Sequence, residues 1–154
     1  IKPLENKEIP LYVKSFKNPA AEGSLINRDS SRDNEIPSYI HKENQILVSF
    51  SSRDFDFIDE RKLSELFQLF SKIGLSFNIL QNSAISFTVA FDYNESKINR
   101  LRKEVSENYK VVYNEGATLI TIRHFTEQII ADLLKGRTVL LEQRTRSTAR
   151  FVLS

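Results

Sequence analysis

Ile46, Val48 and Phe50 fall on one side of an alternating stretch and Leu47 and Ser49 on the other, the pattern of a strand with one face toward a core. A helical period follows. From Glu60 to Ile73, Leu63, Leu66, Phe67, Phe70 and Ile73 recur at three- and four-residue spacing, acidic residues open the segment, and Gly74 stands just past its end. Strand patterns return in SFNIL (76–80) and in ISFTVAF (85–91), where Ile85, Phe87, Val89 and Phe91 share a face. Residues 95–107 put Ile98, Leu101 and Val105 on one helical side, and YKVVYN (109–114) reads as a further strand. Strand, helix, strand, strand, helix, strand is the ferredoxin-like βαββαβ unit, a four-stranded antiparallel sheet covered by two helices on one face.

A second unit begins after it and stops short. TLITIR (118–123) reads as a strand, TEQIIADLLKG (126–136) as a helix with Thr126 as cap and Gly136 as stop, and TVLLEQ (138–143) and TARFVLS (148–154) as strands. One helix and one strand are wanting. Either this half is truncated or the region before residue 46 completes its sheet. That region, 17–45, is rich in Asn, Asp, Ser, Pro and Gly and reads as loop, separating a short strand at LYVKSF (11–16) from the rest. The expected class is α+β, with one unit over 44–116, a second, incomplete unit over 117–154, and residues 1–43 ahead of both.

Composition narrows the partners. The 154 residues are 40% hydrophobic and 27% charged, ordinary for a globular chain, and 22 basic against 20 acidic residues leave a net charge of only +2. No global field calls for nucleic acid or an anionic membrane. No cysteine is present, so there is no disulfide framework, thiolate nucleophile or cysteine zinc site, which fits the cytoplasm. Apolar runs fall far below the roughly 20 residues of a membrane span, and IKPLENKEIP has no signal-peptide core. A chain that starts at Ile1 and contains no methionine reads as a piece of a longer protein.

Nothing in the sequence supplies catalysis. Gly23, Gly74, Gly116 and Gly136 are scattered singly, so no glycine-rich phosphate cradle is present. His41 and His124 each stand alone, and DFDFIDE (54–60) lacks the glycine and spacing of a calcium loop and reads as solvated. Lys135, Arg137, Arg144, Arg146 and Arg150 form a sparse basic tail that suits either phosphate or an ordinary solvated edge. The strand and helix order is also that of an RNA-recognition motif, which needs aromatics on the helix-free sheet face. Here Phe50, Phe87 and Phe91 carry the parity the helices require, and the other parity offers Leu47, Ser49, Ser86, Thr88 and Ala90. Small residues there, with the unpaired strand edges of a second, incomplete unit, predict either a homodimer or a tight intrachain pairing of the two units. The remaining anomaly is SFNILQNSAISF (76–87), whose Asn78, Gln81, Asn82 and Ser83 sit in and at the end of a core strand. Neutral amides recognise a zwitterion without adding net charge, yet the same residues also suit a turn and local backbone satisfaction.

VKSFKNPAAEGS (13–24), the LSELF helix, SFNILQNSAIS and the closing LLEQRTRSTARFVLS together resemble the C-terminal regulatory region of aspartate kinases. The likeness covers nearly the whole chain. It implies a pair of ACT domains that bind a feedback amino acid and dimerise, with 1–43 as the end of the kinase domain and a linker. The parent enzyme would be a phosphotransferase using ATP and magnesium to convert L-aspartate to 4-phospho-L-aspartate at the head of lysine, threonine and methionine synthesis. This fragment would need no cofactor and would be inactive alone. The effector strand of the family matches Asn78, Ile79, Gln81, Asn82 and Ser83, and the helix start at Asp59, Lys62 and Leu63 suits a carboxylate, because a helix N-terminus presents unpaired donors. Asn78 stands where some lysine-inhibited members carry aspartate, Ala84 where they carry glutamate, and Arg61 where glycine is common. Loss of those carboxylates disfavours a cationic effector, leaving threonine beside lysine; the alternatives are a structural dimerisation module without effector, or a stand-alone ACT-type amino-acid sensor. The expected partners are an amino acid and a second copy, with no nucleic acid and no membrane.

Overall fold

The computed structural model describes residues 1–29, 31, 36–53 and 56–154. It divides into two compact units, Ile1–Ile36 and Pro37–Ser154. The first holds a short helix α1 (Lys2–Asn6) and two antiparallel strands, β1 (Leu11–Val13) and β2 (Ser24–Ile26). Gly23 enters β2 at φ 77°, where a Cβ would lie 2.4 Å from the Val13 carbonyl oxygen. Only glycine fits this turn. Strand β2 falls inside the region read as loop, and LYVKSF contributes only its first three residues to β1.

The second unit contains β3 (Ser38–Ser52), α2 (Glu60–Ile73), β4 (Phe77–Asn82), β5 (Ser86–Asp92), α3 (Glu95–Val105), β6 (Tyr109–Arg123), α4 (Glu127–Leu134), β7 (Val139–Arg144) and β8 (Thr148–Leu153). Its strands form one antiparallel sheet in the order β4-β5-β3-β6-β8-β7. Two strands of 15 residues, β3 and β6, run through both halves. Gln45–Ser51 pairs with β5 and Leu47–Ser52 with Tyr109–Asn114, which closes the first half. Ser38–Lys42 pairs with Leu119–Arg123 and supplies the second half with the strand it lacked. Residues 38–45 are thus mostly strand, not loop. A register shift between Lys42 and Gln45, with Asn44 at φ 53°, breaks the alternation that would have revealed it. The two segments 109–114 and 118–123 are likewise one strand, bent where Gly116 adopts φ 71°.

Helices α2 and α3 cover one face of the first half. Leu66, Phe70 and Ile73 of α2 and Ile98, Leu101 and Val105 of α3 meet Ile46, Val48, Phe50, Phe87, Val89 and Phe91 of the sheet. Phe70 anchors this contact, its ring centroid 5.2 Å from that of Phe91 and 5.9 Å from that of Phe50. Phe67, on the edge of the same stripe, is half covered and lies 5.7 Å from Phe77. In the second half, Ile129, Ile130 and Leu133 of α4 pack on Ile120, Ile122 and Phe151.

The helix-free face is buried too. Leu47, Ile79, Ala90, Ala117, Leu119, Leu141 and Val152, drawn from all six strands, form one cluster no more than 8% exposed. A single open sheet leaves such a face wet, so the sheet curls on itself and the two halves face each other across these aliphatic side chains, Ala90 and Ala117 allowing the closest approach. The ends of the sheet come within bonding distance, where the Gln143 amide on β7 donates to the Leu80 carbonyl on β4 at 2.5 Å.

Candidate functional site

The predicted site residues lie along β4 and at the start of α2, and the fold gathers them into two groups. Asn78 belongs to the first. Phe77 pairs with Phe91 and Ile79 with Ala90, so Asn78 is the extra residue of a bulge and has no opposite number on β5. Its amide nitrogen donates to the Gln45 side-chain oxygen (2.7 Å) and to Asp92 Oδ1 (2.8 Å), and its oxygen accepts from Lys42 Nζ (2.8 Å). Gln45, only 1% exposed, also donates to Asp92 Oδ1 at 2.7 Å. These amide donors, Gln45 first and then Asn78, hold the Asp92 carboxyl below the usual carboxylate range, with the Lys42 charge adding to the effect. The cluster ties together β3, β4 and β5 where β3 shifts register.

The second group sits at the other end of β4. The Ser83 hydroxyl accepts from the Ser86 N–H (3.1 Å), the Ser83 N–H donates to the Ser86 carbonyl (2.8 Å), and the next residue, Ala84, accepts from the Ile58 N–H (2.8 Å). That last bond brings the turn beside the start of α2. Asp59 caps this helix, accepting from the Lys62 N–H at 2.9 Å, and the Leu63 N–H is bound to the Asp59 carbonyl. Of the first turn, Glu60 and Arg61 supply the donors these two contacts do not occupy. The Lys62 ammonium, its side chain 14% exposed, turns back to Asp56 Oδ2 (2.8 Å), the Phe57 carbonyl (3.0 Å) and Ser52 Oγ (3.4 Å). It holds the Asp56 carboxyl below its ordinary range. Lys62 is a brace for the loop before the helix.

Between the groups, Gln81 and Asn82 are exposed, Leu63 packs partly into the helix-covered core, and the Ile79 side chain is buried in the inner cluster. Five residue steps separate Asn78 from Ser83, roughly 16 Å at about 3.3 Å per residue. Within one chain the predicted residues do not converge on one amino-acid-sized site. Sequence reading missed Lys42, Gln45 and Asp92. Gln45 and Asp92 are direct cross-strand partners at the ends of two predicted strands, and a polar residue abutting each apolar run was the available signal. Of the DFDFIDE loop, Asp54 and Phe55 lie outside the described residues; among the described residues no group of three or more metal-ligating side chains occurs.

Comparison with known proteins places this arrangement. No family model matches the chain. Chloroplastic aspartokinase 1 of Arabidopsis thaliana is 21% identical over 141 residues, covering 91% of this chain and 22% of the relative. A putative C-terminal regulatory domain of aspartate kinase from Porphyromonas gingivalis W83 superposes with a TM-score of 0.63 and 18% identity, over 77% of this chain and 85% of that one. The chain has the fold of an aspartokinase regulatory region. Escherichia coli aspartokinase III, solved in complex with lysine and aspartate, matches 98% of this chain with 37% of its own at a TM-score of 0.74 and 18% identity. The aspartokinase-like chain therefore spans about a fifth of the curated relative and just over a third of the solved enzyme. Among its described residues no helix is long and apolar enough to cross a membrane.

Proposed function

We propose that the chain is the regulatory part of a cytoplasmic aspartate kinase, and that it binds a feedback amino acid at a site shared by two copies. The observation that carries this reading is the division of the candidate residues between opposite ends of one edge strand. Antiparallel pairing of β4 with β4 of a second copy, centred on Leu80, sets Asn78 of one chain beside Asn82 and Ser83 of the other. The helix start at Asp59 then joins the Asn78 cluster of its partner. Such pairing also satisfies the open edge of β4.

The chemistry of the Asn78 cluster suits a zwitterion. Lys42 and Asp92 offer opposite charges 3.7 Å apart, for a carboxylate and an ammonium. Both Asn78 amide hydrogens are engaged, so a ligand is received through the second lone pair of its oxygen, as a donor. Asn78 thus reads an ammonium or a hydroxyl. With no carboxylate at position 78 or 84, threonine fits better than lysine. The upstream kinase domain would hold ATP and magnesium and transfer phosphate to the aspartate carboxyl, and this chain alone would consume no ATP in the presence of aspartate.

Calorimetric titration of the chain with threonine, lysine and methionine tests the reading. Threonine binding with one ligand per chain, accompanied by dimer formation in light scattering, is the expected result. Dimers that bind none of the three would leave a structural pairing module, the reading favoured by the saturated donors of Asn78.

A further inference from the structure

Strands β4 and β7 are the two ends of the sheet, yet Gln143 on β7 donates to the Leu80 carbonyl on β4. The β4–β5 hairpin fixes which way that carbonyl points. The Ser83 N–H donates to the Ser86 carbonyl, and Gln81 opposite Thr88 and Leu80 opposite Val89 continue the same register. Successive residues of an antiparallel strand alternate between facing their partner and facing away. Ser83 and Gln81 therefore aim their peptide groups at β5, while Leu80 and Asn82 aim theirs outward. The Leu80 carbonyl is an edge group, available to another strand. Gln143 already holds it.

We propose that Gln143 is an intrachain guard on the edge of β4, so that closure of the curled sheet and pairing of β4 with a second copy compete for the Leu80 carbonyl. This rests on the β4-paired reading above and adds to it the residue that sets how tightly two copies join. Gln143 is well placed for the role. Two residues before it on β7, Leu141 is buried in the inner cluster with Ile79 of β4, which holds the β7 backbone close beneath the edge strand. In a two-fold pair centred on Leu80, the partner's N–H and the Gln143 amide draw on the same carbonyl oxygen, so each copy has to weaken or exchange its Gln143 bond for the intermolecular one. The exchange cancels most of the gain from the central bonds. Any event that draws β7 away from β4 frees both carbonyls and strengthens the pair, so the second half of the sheet gates a site built on the first.

The dissociation constants of the chain and of its Gln143→Ala and Gln143→Glu variants, measured by sedimentation equilibrium, test this. Alanine removes the donor, and glutamate puts a carboxylate against the carbonyl. Two freed carbonyls, each worth roughly three- to tenfold, should tighten self-association by roughly ten- to hundredfold in either variant that keeps the parent circular dichroism spectrum. A parent dimer whose variants associate equally or more weakly overturns the guard alone. Parent and variants that all remain monomeric at every concentration overturn the β4-paired reading, and the guard with it.

Discussion

Asn78 keeps one lone pair of its side-chain oxygen uncommitted: its two amide hydrogens go to Gln45 and Asp92 and the other lone pair to Lys42. If it reads an effector, Asn78→Ala should weaken binding roughly ten- to hundredfold, the loss of a bond to a charged group, and calorimetry measures that directly. If its part is to hold the bulge, unliganded stability falls instead by about 1–3 kcal/mol while the ligand-induced rise in melting temperature persists. Asp92 gives the same cluster a pH signature. Its carboxyl is depressed in the folded chain, so its contribution is present above the unfolded carboxylate value of about 3.9 and is lost as pH falls through the lower folded value. Melting temperatures followed into acid should drop less steeply below about pH 4 in Asp92→Asn than in the parent. At this scale the sequence was half legible. The strangeness of Asn78 in a core strand was plain, but its partners come from positions 33, 36 and 14 residues away, and no local pattern joins them.

Elements with one period and clear ends were read correctly. Helix α2 runs from the Asp59 cap to Gly74, which takes the left-handed conformation at φ 73° and lets Leu75 donate back to Phe70. Replacing Asp59 by alanine should cost about 1 kcal/mol, seen as a lower midpoint in urea with an unchanged slope. A loss near zero would mean that Ile58, bound to Ala84, sets the helix start by itself. The misread elements share a cause. Strands β3 and β6 each change register or backbone conformation in mid-course, at Lys42–Gln45 and at Gly116, and a bulge resets the parity on which alternation depends. Half of β3 therefore looked like loop, and β6 like two strands.

For the whole molecule, the decisive feature is the inner cluster to which all six strands contribute. The choice of small residues on the helix-free face was legible, since Ser49, Thr88 and Ala90 stand out against the phenylalanines of the other parity. That the covering layer is the other half of the same sheet was legible only as one of two alternatives, a second copy being the other, because the choice depends on contacts between β4 and β7. Leu141, 8% exposed on β7, should lose about 2–5 kcal/mol on truncation to alanine. Because the cluster it fills draws on both halves, that loss should lower a single calorimetric transition, whereas two separated transitions would show halves that fold independently.

The paired long strands also dictate an order of events during synthesis. The first half is contiguous along the chain, from Gln45 to Asn114, whereas the second is split around it, with Ser38–Lys42 awaiting Leu119–Arg123. One half is nested inside the other. As the chain leaves the ribosome, the inner half acquires all its strands and both helices first, while the segment that will border the outer half emerges earliest and waits without a partner. An edge strand held open in this way is the segment most exposed to wrong pairing during folding. It carries His41 and Lys42 and is followed by Glu43, charged or ionisable side chains of the kind that keep waiting edges from joining one another.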